Sequence, residues 1–234
     1  MPRIRRVRRA TLTSQIEESL RADIIDGVLP AGARLTAADL TERYEVSPTP
    51  LREALQRLAA ENLVDLDPRL GATVARISRA HLRDTYRVRG VLESLAVADS
   101  VQRGDEAWEE RLRNLFTEFE LAVARARREN LHPVLSWSRA HQSFHDGLMA
   151  NCDSVWLKSF LGMLNAHSER YRVLAAQTGV RDPVNEHRAI FEAALARDTG
   201  GTVAALQRHL LRTVEVIEES LPVDDDLPVP LSRL

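Results

Sequence analysis

The sequence contains one cysteine, Cys152, so no disulfide can close within the chain, and a reducing compartment is expected. Aromatic residues are 5% of the composition, which favours helices packed through leucine and alanine over a β-sandwich. No apolar run approaches the ~18 residues that a membrane-spanning helix needs. The N-terminus is basic, but residues 11–20 are polar and acidic where a signal peptide needs an apolar stretch. These absences predict a soluble, cytoplasmic protein with no membrane partner. An excess of positive charge is missing too. Lys and Arg number 32 against 34 Asp and Glu, a net charge of −2, so any signal for nucleic acid has to be local. What is present is an ordinary 44% of hydrophobic residues over 234 positions, enough for one large or two modest domains with a real core.

The most informative stretch is 36–63, which reads as two short helices joined by a tight turn. Thr36 is placed to cap the first, with Asp39 at capping-box spacing, and Leu35 and Leu40 are placed as a hydrophobic staple. Ser47 is placed to cap the second, Pro48 sits where a missing N–H costs nothing, and Val46 and Leu51 form its staple. Pro50 is still within the first turn and is tolerated. With the turn at Tyr44, Glu45 and Val46, the pattern predicts a helix-turn-helix. Leu51, Ala54, Leu55 and Leu58 share one face and should be core. Thr49, Arg52 and Gln56 form a stripe that can enter a major groove, where Arg can pair bidentately with guanine and Gln or Thr can read other edges. A solvated face on an ordinary helix is the alternative for such a stripe.

Upstream, residues 2–9 carry five arginines, Arg3, Arg5, Arg6, Arg8 and Arg9, an arm that could follow phosphates or enter a minor groove. Leu12, Ile16, Leu20, Ile24 and Ile25 have helical spacing, and Gly27 ends that helix. Downstream, residues 63–67 and 72–77 read as a small β-hairpin around Asp67-Pro68-Arg69-Leu70-Gly71, a wing with Arg69 near its tip. After residue 77 no strand signal remains. Six helices are predicted, at 78–101, 106–128, 133–150, 154–176, 183–196 and 202–220, with breaks at Asn130, Asn151-Cys152-Asp153, Gly179 and Gly200-Gly201. The fold class is therefore mainly α: a basic arm at 1–9, a winged helix-turn-helix at 10–77, an all-helical bundle at 78–220 and a disordered tail at 221–234, rich in proline and aspartate.

Four of the seven histidines have suggestive positions. His141 and His145 are four apart on one helix, hence on one face. His187 and His209 are 22 apart with their midpoint at residue 198, close to Gly200-Gly201. If the last two helices form an antiparallel hairpin there, both pairs can converge in a bundle core, and imidazole suits zinc, nickel, copper or iron. The alternative is four unrelated polar or packed histidines. Of the others, His81 and His132 lack such partners, and His167 could border the same cavity. Four neutral imidazoles would leave an ion's charge uncompensated and draw in an anion, most simply a carboxylate. No HExxH is present, and Glu186, beside His187, points elsewhere on a helix, so the pattern favours a ligand site over catalysis. Arg89 and Glu93, four apart, read as an intrahelical ion pair; the alternative has Arg89 facing the cavity and holding an effector carboxylate.

VSPTPLREALQRLAAENLV (46–64), GATV (71–74), YRVRGVLE (86–93), HQSFH (141–145), EHRAIFEAAL (186–195) and QRHL (207–210) together resemble the GntR family of bacterial transcription regulators, in the FadR-like branch with an all-helical FCD effector domain. The likeness runs from about Leu12 to Ser220. It implies a homodimer on a palindromic double-stranded DNA operator, and a helical domain that senses a small metabolite, often a carboxylate or sugar acid, beside a bound metal. Many members hold the metal with an aspartate and three histidines in DxxFH, EH and HL contexts. Carried over, these positions are His141, His145, His187 and His209. His141 departs from the pattern, and loss of the one negative charge favours zinc or nickel over manganese. Pro48 stands where members often have arginine. Thr49, Arg52 and the wing near Gly71 match DNA-contacting positions. The implied activity is effector-responsive regulation, by default repression. The rivals are a constitutive DNA-binding protein whose helical domain only dimerises, and a metal-dependent enzyme with a DNA-binding appendage.

Overall fold

A computed structural model describes residues 11–69, 71–129, 133–175 and 183–221, with only the backbone described at 133–135 and 183. The basic arm, His132, the break at Gly179 and the tail beyond Leu221 lie outside the described residues. The chain divides after Ile77 into two compact units.

In the first unit, α1 (Leu12–Ile25) is capped by Thr11, whose hydroxyl accepts from the Ser14 N–H at 3.2 Å. It buries Ile16, Leu20 and Ile24 and packs on α3 (Pro48–Ala60), which buries Leu51, Ala54, Leu55 and Leu58. Between them, α2 (Ala37–Tyr44) starts at Thr36, whose side chain accepts from Asp39 N–H at 3.2 Å. It stops at Glu45, in the left-handed region at φ 52°, with the Val46 N–H returning to the Thr41 carbonyl. That reversal is the turn of the helix-turn-helix.

One capping prediction is corrected. Ser47 holds the N-cap position of α3 in extended geometry, but its side chain makes no capping hydrogen bond. An N-cap side chain accepts from the second or third helical N–H, and the third helical residue here is Pro50, which has none. The two prolines leave fewer orphan donors at this end, so the helix starts on proline geometry rather than on a capped amide.

The wing is β2 (Val64–Asp67) against β3 (Gly71–Val74), antiparallel with Val64 opposite Val74 and Asp67 opposite Gly71. A third strand, β1 (Arg34–Leu35), pairs on the other edge of β3, giving the order β1-β3-β2. Two residues are too few to show alternation, so the sequence marks Leu35 only as a staple.

The second unit is all helical among the described residues: α4 (Arg79–Arg103), α5 (Glu106–Glu129), α6 (Pro133–Leu148), α7 (Val155–Ala175), α8 (Pro183–Leu195) and α9 (Thr199–Ser220). The main packings are α4 on α7 and α9, α5 on α6, and α8 on α9. Trp108, Leu112, Phe119, Phe144, Leu148, Tyr171, Ile190 and Leu206 form the buried core. Trp108 satisfies its indole N–H on the Gly147 carbonyl at 2.9 Å. Gly200 and Gly201 do not break the chain as expected. Both lie in the first turn of α9, where the Gly201 N–H donates to the Asp198 side chain at 2.9 Å. The break falls at Ala196–Asp198, with Arg197 at φ 57°. An aspartate cap absorbed the glycines, because the N-cap carboxylate supplies the acceptor that their exposed amides need. No described helix is long and apolar enough to cross a membrane.

Candidate functional site

In the first unit, burial of Leu51, Ala54, Leu55 and Leu58 turns the opposite face of α3 outward, and Thr49, Arg52 and Gln56 are exposed on it. Their exposed neighbours have other work. Glu53 accepts from the Thr13 hydroxyl at 3.0 Å, and Arg57 pairs with Glu17 at 3.1 Å, both on α1. Arg21 spans Glu17 and Glu61 beside them. Docking to α1 thus uses one flank of α3 and leaves the Thr49, Arg52 and Gln56 stripe with no side-chain hydrogen bond among the described residues. Arg69 is exposed at the wing turn, its N–H donating to Asp67 Oδ1 at 2.6 Å. Gly71 is at φ +85°, with open space around the position a Cβ would take.

In the second unit, α6 supplies His141 and His145, α8 supplies His187 and α9 supplies His209. One ring nitrogen from each lies within 4.8 Å of the other three. All four rings are buried, at 3%, 3%, 1% and 7% exposure, so the ligand atoms are shielded from competing water. His145 Nε2 lies 3.1 Å from His187 Nε2. The ring centroids of His187 and His209 are 4.3 Å apart. Phe119 packs on His141 and His187, Phe144 on His145 and His187, and Trp137 on His141, which gives the cluster an aromatic wall.

Burial, followed by repulsion from the neighbouring imidazoles, holds His141 and His145 well below the ordinary histidine pKa. Neutral imidazoles are what a metal requires. His141 Nδ1 is buried without a hydrogen-bond partner, an arrangement that is costly unless something else uses the lone pair or proton. His209 Nδ1 is 3.0 Å from Glu186 Oε2. A carboxylate on one ring nitrogen fixes the tautomer and frees the other for a metal. The donor set therefore fits a borderline-soft divalent ion.

Glu186 corrects the expectation that it points away. The signal was available: reflecting Glu186 about residue 198 gives Leu210, one position from His209. Arg89 and Glu93 form the expected ion pair within α4, Nε and Nη2 of Arg89 both meeting Glu93 Oε1 at 2.6 and 2.5 Å. The pair is buried, which sequence spacing could not show. Two further half-buried groups carry no sequence signal: Arg172 pairs with Glu169, and Glu169 accepts from Ser138. Nothing in their spacing marks them. Outside the cluster, His81 Nδ1 is 2.8 Å from the Tyr171 hydroxyl, and its ring lies 5.2 Å from that of His167.

Comparison with known proteins places these parts. Residues 12–74 match the bacterial regulatory proteins of the gntR family, and residues 84–212 match the FCD domain. The chain is 37% identical over 215 residues to the HTH-type transcriptional regulator BphR of Paraburkholderia xenovorans, covering 90% of this chain and 88% of that protein. It is 30% identical to the HTH-type transcriptional repressor GlaR of Escherichia coli, covering 86% and 94%. Among solved structures, Escherichia coli McbR superposes with a TM-score of 0.76 at 22% identity, over 90% of this chain and 99% of that one, a likeness of fold.

Proposed function

Because the chain belongs to the GntR family, with an FCD domain behind its DNA-binding helix-turn-helix, it is a DNA-binding transcription regulator and not an enzyme, and we propose that it is a cytoplasmic homodimeric repressor switched by a metal-assisted carboxylate site. The observation that carries the ligand half of this reading is the convergence of His141, His145, His187 and His209 within 4.8 Å in the buried interior of the helical unit. A DNA-binding protein that merely dimerises through these helices gives no reason for four buried imidazoles to meet there.

The four histidines are the proposed ligands of zinc or nickel. A bound ion would supply positive charge that no ligand cancels, and so would attract an anionic effector. Glu186 orients His209, and the aromatic wall keeps water from competing. The proposed DNA contacts are Thr49, Arg52 and Gln56 on the recognition helix, with Arg69 and Gly71 on the wing. Two copies of α3 would enter successive major grooves about 34–36 Å apart on a palindromic operator. An effector shifts that dimer only by its differential affinity for the DNA-binding and released states. The repressors among the relatives favour release on effector binding as the default.

The deciding experiment is metal analysis of protein purified without added metal, beside the His187→Ala and His209→Ala variants. Near-stoichiometric zinc or nickel in the parent and its loss in the variants is the expected result. Metal content unchanged in both variants sinks the site. An operator fragment recovered by selection, bound by parent and metal-free protein alike, would favour the constitutive reading instead.

A further inference from the structure

Three residues of α3 fall in one row. Pro48, Arg52 and Gln56 are spaced by four, which sets each beside the next on a helix surface, and all three are exposed. Leu51, Ala54, Leu55 and Leu58 face the core. The flank toward α1 is occupied by Glu53, which accepts from Thr13, and by Arg57, which pairs with Glu17. The row of Pro48, Arg52 and Gln56 therefore runs along the free side of the helix. Pro48 is the first helical residue, so the row begins at the N-terminal end. That is the end a helix-turn-helix presents to base edges in the major groove.

Pro48 brings a different chemistry to that row. Arg52 and Gln56 can read by hydrogen bonds, whereas the proline side chain offers only CH2 groups and has no N–H. The backbone around it does not compensate. Of Pro48, Thr49 and Pro50, the first three helical residues, only Thr49 carries an amide proton, so this helix start has little to give a phosphate. What it presents is an apolar ring, already fixed by its own closure and by the helix, so that placing it against a ligand costs no side-chain rotamer freedom. Among the groups that base pairs display in the major groove, the C5-methyl of thymine is the apolar one. Against any of the donor or acceptor edges the ring would cover a polar atom and leave it unpaired, which is a penalty. A proline in this place attracts one base and repels the others, the two halves of specificity.

We propose that Pro48 is a specificity-determining residue for DNA, packing its ring on the C5-methyl of one thymine in each operator half-site. It stands at the head of a row in which Arg52 and Gln56 read their bases by hydrogen bonds. The operator is thereby required to carry a methyl group, and not merely an A·T pair, where the start of α3 meets it. The proposal rests on the reading of α3 as the helix that enters the groove.

The test uses the full-length protein and an operator recovered by selection from random DNA. Each thymine of a half-site is replaced in turn, together with its symmetry mate, by deoxyuridine, which removes the methyl and leaves the base pair intact. Fluorescence anisotropy should find one thymine whose replacement weakens binding about fourfold per half-site, the equivalent of ~0.8 kcal/mol for one methyl-sized group. Pro48→Ala should bind the thymine and deoxyuridine forms of that position alike. Thr49→Ser, which removes only a methyl from the neighbouring side chain, should still distinguish them. Selection repeated with Pro48→Arg should no longer return that thymine. Parent binding that is indifferent to every deoxyuridine overturns the methyl contact, and leaves α3 in the groove if Arg52→Ala still weakens specific binding. Discrimination that survives in Pro48→Ala overturns the assignment to this residue, and its loss in Thr49→Ser would move the contact there. If Arg52→Ala and Pro48→Ala both bind the operator as the parent does, the placement of α3 in the groove fails as well.

Discussion

His145 of α6 and His187 of α8 bring their Nε2 atoms to 3.1 Å inside the helical unit, 42 positions apart in sequence. Two imidazole nitrogens at that distance can share one proton. Only one of them can donate, and the pair stays together because the helices that carry it are packed through Phe119, Phe144 and Ile190. A divalent ion bound there would resolve the arrangement by accepting both lone pairs.

Acidification should weaken the centre. His141 and His145 are held well below the usual histidine range by burial, so below about pH 6.5 the unfolded chain binds protons that the native chain refuses. Stability is therefore full above that pH and declines as pH falls toward the native-state pKa values. The slope approaches at most about 1.4 kcal/mol per pH unit for each histidine. Denaturant titrations of chelator-treated protein between pH 7.5 and pH 5, chosen to span this window (about 6.5 being the reference value), should show it. The His141→Ala variant should show a shallower decline.

Glu186→Gln should cost metal affinity without removing a ligand. The carboxylate holds His209 Nδ1 at 3.0 Å, and loss of such orienting groups typically lowers affinity about 10–100-fold. Competition with a chromogenic chelator measures it. Unchanged affinity would assign Glu186 to helix packing alone.

Arg52→Ala should weaken specific operator binding by about 1–3 kcal/mol if the guanidinium is bidentate to guanine. Fluorescence anisotropy on a selected operator and on random DNA separates the roles. Equal losses on both would make Arg52 a phosphate contact. Arg57→Ala, by contrast, should cost little on DNA, because that side chain is paired with Glu17 on α1.

Gly71→Ala should lower the thermal midpoint of the DNA-reading unit. The position has room for a Cβ, so the cost is purely conformational, about 1–2 kcal/mol for an alanine at φ +85°. Differential scanning calorimetry reads that loss, and Gly71→Asn should lose less, since asparagine tolerates the left-handed region better.

Much of this protein is legible one residue at a time. Thr36 and the prolines at 48 and 50 mark where α2 and α3 begin, since capping and missing amides are local chemistry. The 3.6-residue period of leucines and alanines divides α3 into a buried and an exposed face. Spacing also nominated the histidines: four residues put His141 and His145 on one face, and a hairpin centred on residue 198 levels His187 with His209. Where the sequence misled, a local cue was outvoted by a neighbour. Gly200-Gly201 looked like a break until the Asp198 carboxylate capped them into α9, and Ser47 looked like a side-chain cap although Pro50 offers it no amide.

Burial and partnership belonged to the tertiary structure alone. Spacing says that Arg89 and Glu93 can meet, but only the packing of α4 against α7 and α9 takes their charges out of water and leaves Nη1 and Oε2 buried without hydrogen-bond partners. Packing of α8 on α9 brings Glu186 to His209, and packing of α6 with α7 brings the Arg172 charge to bear on His141. The sequence by itself determined the helices, the exposed face of α3 and which residues could ligate. The tertiary structure decided which charges are desolvated, because the dielectric around a side chain is set by everything packed on it and by nothing in its own stretch of chain.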